Sequence, residues 1–195
     1  MIHNFRHSLE YERSMAARAD AFYRDVLGAK IIRRFDRDTD EDMEMQREDV
    51  DVIIERKGVE YRISEKFREH DYEDLYIEIY SIYPDTPGWV ITGTPNAVLY
   101  FFPSSVYWVT HKSLYEFCVN VLFPAIPKAF IEEIFETKKS YLPKTILLDK
   151  QTVSVKLVQA HNHDVADWET IGVCVSFDVL AKYGVQFSKK LIMSH

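Results

Sequence analysis

The sequence predicts a layered α/β or α+β fold in which helices flank a mixed central β-sheet. The segment 8–27 carries apolar residues at the 3.6-residue spacing of an amphipathic helix. The segment 49–67 alternates apolar and polar residues on both sides of a glycine turn, which is typical of a β-hairpin. Further strand and helix patterns then follow in no strict β-α-β order, as expected of such a layered fold.

Length and composition indicate one globular domain over 1–195, with a core at 8–125 that the segment 126–195 completes. The formal net charge of −7 does not favour non-specific nucleic-acid binding, so a nucleic-acid function would depend on a local basic patch. No apolar run approaches the ~20 residues of a membrane span, and both cysteines have apolar neighbours. We therefore expect a cytoplasmic protein that does not enter membranes.

The elements before the hairpin are one helix, one strand and one acidic segment. Ser8 and Gly28 are suitable for the start and the end of the first helix. Residues 30–35 predict a short strand. Residues 36–48 are strongly acidic and predict a solvated loop.

The remaining elements follow from short periodic segments. The hairpin turns at Gly58, because glycine readily takes the positive φ that such a turn needs. Further predicted strands, a loop and helices complete the chain: strands at 75–81, 97–102, 106–109, 146–148, 153–159 and 171–175, a loop at 83–88, and helices at 112–122, 126–138 and 178–183.

Acidic and basic residues in the apolar hairpin are the best functional signal, because charge is costly to desolvate. Asp51 and Lys66 lie on neighbouring predicted strands, so the hairpin can bring them together. A carboxylate there can bind Mg²⁺, which prefers oxygen ligands. A metal-activated water assisted by a lysine is suited to phosphodiester hydrolysis.

The arrangement resembles the PD-(D/E)XK nuclease superfamily, which has the restriction-endonuclease-like fold. The matching order is an N-terminal helix, Gln46, then Asp51 on the first strand, a hairpin, and Lys66 at the end of the second strand. The resemblance covers roughly residues 8–110 and extends to elements that recur in some phage and mobile-element members. It implies Mg²⁺ dependence and a DNA substrate.

One departure from the family pattern concerns the second acid. Ser64, not Asp or Glu, stands two residues before Lys66, and the adjacent Glu65 points to the opposite face of a regular strand. A β-bulge could turn Glu65 into the site, or Glu78 on the following strand could supply the second carboxylate. In the third alternative the site is inactive and the fold binds without cutting.

The candidate residues follow from these alternatives. Asp51, Glu65 and Glu78 are the candidate metal ligands, and Lys66 joins them as a candidate catalytic residue. Four further residues are candidates for substrate binding: Gln46, Arg62, Ser64 and Arg68. The competing functions are a non-catalytic nucleic-acid- or protein-binding protein of the same fold and a plain protein-interaction domain. The sequence does not determine the oligomeric state, and a homodimer is compatible with it.

Overall fold

The computed structural model describes residues 15–36, 39–162 and 168–192. Within them the chain forms two compact units. We call residues 15–72, 92–112 and 186–192 the mixed-sheet unit, and residues 73–91 and 113–185 the antiparallel-sheet unit. The α+β class predicted from the sequence is confirmed, whereas the single domain over 1–195 stays a prediction.

Strands and helices alternate irregularly along the described chain. The strands are β1 (Lys30–Arg34), β2 (Val52–Arg56), β3 (Val59–Phe67), β4 (Asp74–Ile82), β5 (Thr86–Pro87), β6 (Ala97–Phe101), β7 (Ser105–Thr110), β8 (Tyr141–Leu148), β9 (Gln151–Asn162), β10 (Trp168–Ser176) and β11 (Phe187–Leu191). The helices are α1 (from residue 15 to Val26), α2 (Asp40–Arg47), α3 (Trp89–Thr92), α4 (His111–Phe117), α5 (Lys128–Thr137) and α6 (Phe177–Lys182).

The mixed sheet has six strands in the order β1-β2-β3-β6-β7-β11. β3 and β6 are parallel, and every other neighbouring pair is antiparallel. The β2–β3 hairpin turns through Lys57 and Gly58, whose φ angles are 54° and 76°. Two consecutive positive φ values suit the right-handed twist of paired strands. The predicted hairpin is confirmed.

α1 covers one face of the mixed sheet. Its buried residues Ala19, Phe22 and Tyr23 pack against apolar side chains of the sheet, among them Ile63 and Phe101. The last turn, Phe22–Val26, is π-helical. Gly28 follows with φ 59°, as predicted for the helix end, while Ser8 lies outside the described residues.

The acidic segment is a helix where a loop was predicted. α2 begins after Thr39, whose hydroxyl accepts a hydrogen bond from the backbone N–H of Asp42 at 3.2 Å. Carboxylates in the first turn are favourable because the helix dipole is positive at that end. Glu, Met and Gln are also good helix formers. The loop prediction was wrong because it considered only the charge of the segment and not its helix-forming residues.

The antiparallel-sheet unit contains five strands in the order β5-β4-β10-β9-β8. Its β8–β9 hairpin turns at Asp149 and Lys150, which both have positive φ. α5 has Pro127 at its N-cap and buries Ile131 and Ile134. This unit contains β4, which the sequence analysis expected beside the hairpin strands.

Among the described residues, no single helix is long and apolar enough to cross a membrane. The helical segments His111–Ala125 and Lys128–Thr137 meet the length and composition criteria only as a bent pair.

Candidate active site

The β2–β3 hairpin places Asp51 beside the end of β3. Asp51 directly precedes β2, and its backbone N–H donates to the carbonyl of Ile63 at 2.9 Å. Its Oδ2 atom accepts a hydrogen bond from the backbone N–H of Glu65 at 2.6 Å. Two contacts across the hairpin therefore fix this carboxylate against β3.

Asp49 is the direct partner of Lys66. The Nζ atom of Lys66 lies 2.6 Å from Oδ1 of Asp49, and the two side chains are 26% and 15% exposed. Asp49 has φ 55°, in a left-handed conformation that aspartate tolerates better than most residues. The residue pattern of the sequence predicts no role for Asp49. The available signal was a second acid two residues before Asp51, at the end of an acidic segment.

The carboxyl group of Asp51 is easier to protonate than an ordinary aspartate. Burial raises the pKa of Asp51 to about 7. The ammonium of Lys66 opposes this increase in pKa, whereas the charges of Asp49 and Glu65 reinforce it. Asp49, Asp51 and Lys66 are thus electrostatically linked, which confirms that the hairpin brings Asp51 and Lys66 near each other.

Glu65 belongs to a different cluster. Its side chain is only 4% exposed, and its Oε1 atom accepts a hydrogen bond from the buried hydroxyl of Tyr23 at 2.7 Å. Arg34 donates to both carboxylate oxygens, at 2.6 and 3.1 Å. β3 keeps a continuous register with β6 from Ile63 to Phe67, so the bulge considered above does not occur in the described pairing.

The Arg34–Glu65 pair is part of a buried ionic network. Arg34 also reaches Asp20 of α1, at 2.5 Å. Burial lowers the pKa of Arg34, but its hydrogen bond to Glu65 and the charges of Glu65 and Asp20 outweigh that effect and raise it overall. Burial and then Glu65 raise the pKa of Tyr23. Both oxygens of Glu65 therefore accept hydrogen bonds that attach α1 and β1 to β3.

Glu78 lies in the antiparallel-sheet unit, on β4. There its Oε2 atom accepts a hydrogen bond from the hydroxyl of Ser81 at 2.9 Å. Glu78 lies on the strand that follows β3 in the chain, as predicted, but this strand does not pair with β3, whose neighbours are β2 and β6. Only a short segment connects β3 to β4 along the chain, but the two strands belong to different sheets.

Arg62 and Ser64 share the face of β3 that carries Lys66, because alternate residues of a strand point the same way. Arg62 forms an ion pair with Glu48. The same Oε2 atom of Glu48 accepts a hydrogen bond from the Thr94 hydroxyl at 2.8 Å. Ser64 is completely buried. The contacts of Glu48 place Arg62 next to the end of α2 and the segment that precedes β6.

The remaining two predicted binding residues have backbone or aromatic partners. Nε2 of Gln46 donates to the carbonyl of Phe35 at 2.7 Å, which attaches α2 to the end of β1. The guanidinium carbon of Arg68 lies 4.7 Å from the ring centroid of Tyr72. Gln46 therefore supports the position of α2, while Arg68 continues the chain immediately beyond β3.

The capacity to hold a metal depends on Asp49 and Asp51. The described residues contain no group of three or more His, Cys, Asp or Glu side chains arranged to hold a metal ion. However, Oδ2 of Asp49 is buried and has no hydrogen-bond partner among the described residues. Mg²⁺ is commonly bound through one or two carboxylates and several waters. Two carboxylates, one with an unsatisfied buried oxygen, fit that requirement.

Comparisons with protein-family models, curated proteins and solved structures found no match for this chain.

Proposed function

We propose that the protein is a Mg²⁺-dependent nuclease of the PD-(D/E)XK type that hydrolyses phosphodiester bonds in DNA. The observation that carries this proposal is the convergence of Asp51, Asp49 and Lys66 at one end of the β2–β3 hairpin. Asp49 takes the place of the second acid that the sequence analysis sought at Glu65 or Glu78.

Asp49 and Asp51 are the residues that would hold the metal. A bound Mg²⁺ supplies an activated water and offsets charge on the phosphate. The unsatisfied Oδ2 of Asp49 is an oxygen ligand of the kind that this ion prefers. The high pKa of Asp51 reflects burial and nearby negative charge, two costs that a cation relieves.

Lys66 has two tasks in this proposal. Its ammonium group lies at the carboxylate cluster, where it lowers the pKa of Asp51 and so favours the ionised carboxylate. It is also the cation placed to stabilise negative charge on a phosphoryl oxygen. Glu65 holds the strand in place through Arg34 and Tyr23 and does not touch the substrate in this proposal.

The decisive experiment joins Mg²⁺ binding and DNA cleavage. Titration calorimetry compares the wild type with Asp51→Asn and Asp49→Asn, and with Asp85→Asn as a control at an exposed aspartate of the other unit. We expect Mg²⁺ binding by the wild type and Asp85→Asn, and weakened binding by the two site variants. Cleavage of single-stranded and duplex DNA should require Mg²⁺ and disappear in EDTA.

Equal Mg²⁺ binding by the wild type and Asp51→Asn would contradict the metal site. Mg²⁺ binding at the site without cleavage of either DNA would contradict the nuclease activity. The two parts of the proposal can therefore fail separately.

A second candidate is a non-cleaving nucleic-acid- or protein-binding protein of the same fold. Ser64 stands where the family pattern has an acid, and the described residues contain no group of three metal-ligating side chains. DNA binding in EDTA, together with no cleavage in Mg²⁺, would favour this candidate. Absence of both would favour protein binding.

We also propose a cytoplasmic location. Cys118 and Cys174 are both buried free thiols, which is the usual state of cysteine in a reducing compartment. Burial raises the pKa of Cys118 well above its ordinary value, so this thiol is unreactive.

A further inference from the structure

The Oε2 atom of Glu48 marks a position where two hydrogen-bond donors meet. The guanidinium of Arg62 and the hydroxyl of Thr94 both donate to this single oxygen. The surrounding residues therefore favour an anionic oxygen at this position.

The backbone around this position is firmly held. The side chain of Asn96 accepts a hydrogen bond from the N–H of Arg62 at 2.7 Å, and the N–H of Asn96 donates to the carbonyl of Arg62 at 2.7 Å. The N–H of Thr94 donates to the carbonyl of Glu48 at 2.8 Å. Arg62 and Thr94 are thus presented by fixed backbone, as a preorganised anion site requires.

Two donors on the same face of β3 are left unsatisfied by this arrangement. Nε of Arg62 and Oγ of Ser64 are buried and have no hydrogen-bond partner in the described part of the chain. Buried polar groups are almost always hydrogen-bonded, so such exceptions indicate a missing partner. One carboxylate oxygen of Glu48 satisfies two donors, whereas a phosphate offers several acceptor oxygens.

Glu48 is replaceable by an anion from solution. Its side chain is 41% exposed and that of Arg62 is 36% exposed. Ion pairs with this degree of exposure contribute little to stability, typically less than about 1 kcal/mol. An external phosphate can therefore compete with Glu48 for Arg62 at small cost to the fold.

We propose that Arg62 and Thr94 form a phosphate subsite for the nucleic-acid backbone and that Glu48 occupies it as an intramolecular competitor. The inference rests on the proposed nuclease function, because Lys66 lies on the same face of β3 and would contact a neighbouring part of the same backbone. The substrate displaces Glu48 to reach the subsite, so Glu48 weakens binding to nucleic acid.

The test is DNA binding without metal. Fluorescence anisotropy of a fluorescein-labelled single-stranded DNA oligonucleotide, in EDTA, compares the wild type with Glu48→Gln and with Glu44→Gln. Glu44 is an exposed residue of α2 and Glu48 is the C-cap residue of the same helix, so both variants remove one negative charge from neighbouring turns of the chain. We expect Glu48→Gln to bind about threefold to tenfold more tightly, and Glu44→Gln to bind like the wild type.

Salt dependence separates a local effect from a change of net charge. If Glu48→Gln releases Arg62 to one more phosphate, the slope of log K against log salt should steepen by about 0.7. The gain in affinity should be lost in the double variant Glu48→Gln/Arg62→Ala, provided that thermal unfolding confirms that this variant is folded. A folded double variant that keeps the gain would overturn the inference.

Equal affinity and equal salt slope for Glu48→Gln and Glu44→Gln would also overturn it, as would absence of DNA binding by every variant. A gain in Glu48→Gln without Mg²⁺-dependent cleavage by the wild type would support the subsite and remove only the nuclease function. Mg²⁺-dependent cleavage by the wild type, with no gain of DNA affinity in Glu48→Gln, would support the nuclease function and overturn the subsite.

Discussion

The Nζ atom of Lys66 lies 2.6 Å from Oδ1 of Asp49, so the lysine at the end of β3 is held by an acid that precedes Asp51 by two residues. The pairing gives the end of the hairpin two carboxylates and one cation. In the proposed function, Asp49 stands in for Glu65 or Glu78, from which the sequence predicted the second acid.

The first prediction concerns Lys66. Lys66→Met removes the ammonium and keeps a long apolar side chain, so we expect Mg²⁺-dependent DNA cleavage to fall by about 10²-fold, as for other losses of a transition-state donor. Mg²⁺ binding measured by calorimetry should persist, because Asp49 and Asp51 remain. Lys57→Met changes the charge equally in the exposed turn and should leave the cleavage rate unchanged. Unchanged cleavage in Lys66→Met would remove the lysine from the proposed mechanism.

The second prediction concerns the stability contribution of Asp51 as the pH changes. Its folded pKa of about 7 lies above the unfolded value of about 4. The folded state therefore binds more protons between these values, and the contribution of Asp51 to stability decreases as the pH rises from about 4 to 7. Asp51→Asn removes this dependence.

In EDTA, we compare the free energy of unfolding of Asp51→Asn with that of the wild type at two pH values. We expect the variant-minus-wild-type difference to be roughly 1 kcal/mol or more higher at pH 8 than at pH 5. Denaturant unfolding at both pH values measures this difference, and Asp85→Asn should show none of comparable size. If the difference in unfolding free energy between the wild type and Asp51→Asn is the same at both pH values, the carboxyl group of Asp51 has an ordinary pKa.

Local patterns predicted the strands of the hairpin but not the position of β4. Alternation of apolar and polar residues identifies a strand and its two faces, and it did so for β2, β3 and β4. The partner of a strand depends on tertiary packing, which a local pattern does not contain. The strand that carries Glu78 was therefore predicted correctly, whereas its pairing with β5 and β10 was not.

The candidate site was predictable only in part. Asp51 directly precedes β2 and Lys66 lies on β3, and the tight turn that joins these two strands fixes their register. Arg34 and Glu65 are 31 residues apart in the chain, yet their side chains pair in the folded protein. In the sequence, Glu65 is only one polar residue in an alternating strand, and this pattern does not indicate its partner. The role of Asp49 depends on its left-handed φ of 55°, which the sequence pattern did not indicate.

The third prediction concerns Glu65 as a structural residue. Glu65→Gln leaves Arg34 without its buried charged partner, and breaking a buried pair in this way typically costs about 3–5 kcal/mol. We expect a loss of roughly that size in denaturant unfolding, whereas Glu60→Gln, at an exposed position of the same strand, should change stability little. The folded fraction of Glu65→Gln should still bind Mg²⁺. Full stability with loss of Mg²⁺ binding would instead identify Glu65 as a metal ligand.

The fourth prediction concerns two glycines of the antiparallel-sheet unit. A Cβ atom at Gly88 would lie 2.1 Å from the backbone oxygen of Glu78, while one at Gly172 would lie 2.3 Å from the ring of Tyr76. Backbone in a paired strand cannot move aside without loss of its hydrogen bonds, whereas an aromatic side chain can change its rotamer. Gly88→Ala should therefore be the more damaging variant, with a loss of about 3 kcal/mol, at the upper end of the roughly 1–3 kcal/mol that is typical of overpacking a close-packed interior.

The double variant Gly172→Ala/Tyr76→Ala tests this distinction. Truncation of Tyr76 removes the atoms that the new methyl group at Gly172 would contact, so the cost of Gly172→Ala should be smaller in the Tyr76→Ala background. Gly88→Ala should cost the same in either background, because its contact is with the backbone of Glu78. Denaturant unfolding of the three single variants and of the two double variants with Tyr76→Ala measures both differences, and equal relief at the two glycines would contradict the assignment of the Gly88 contact to backbone.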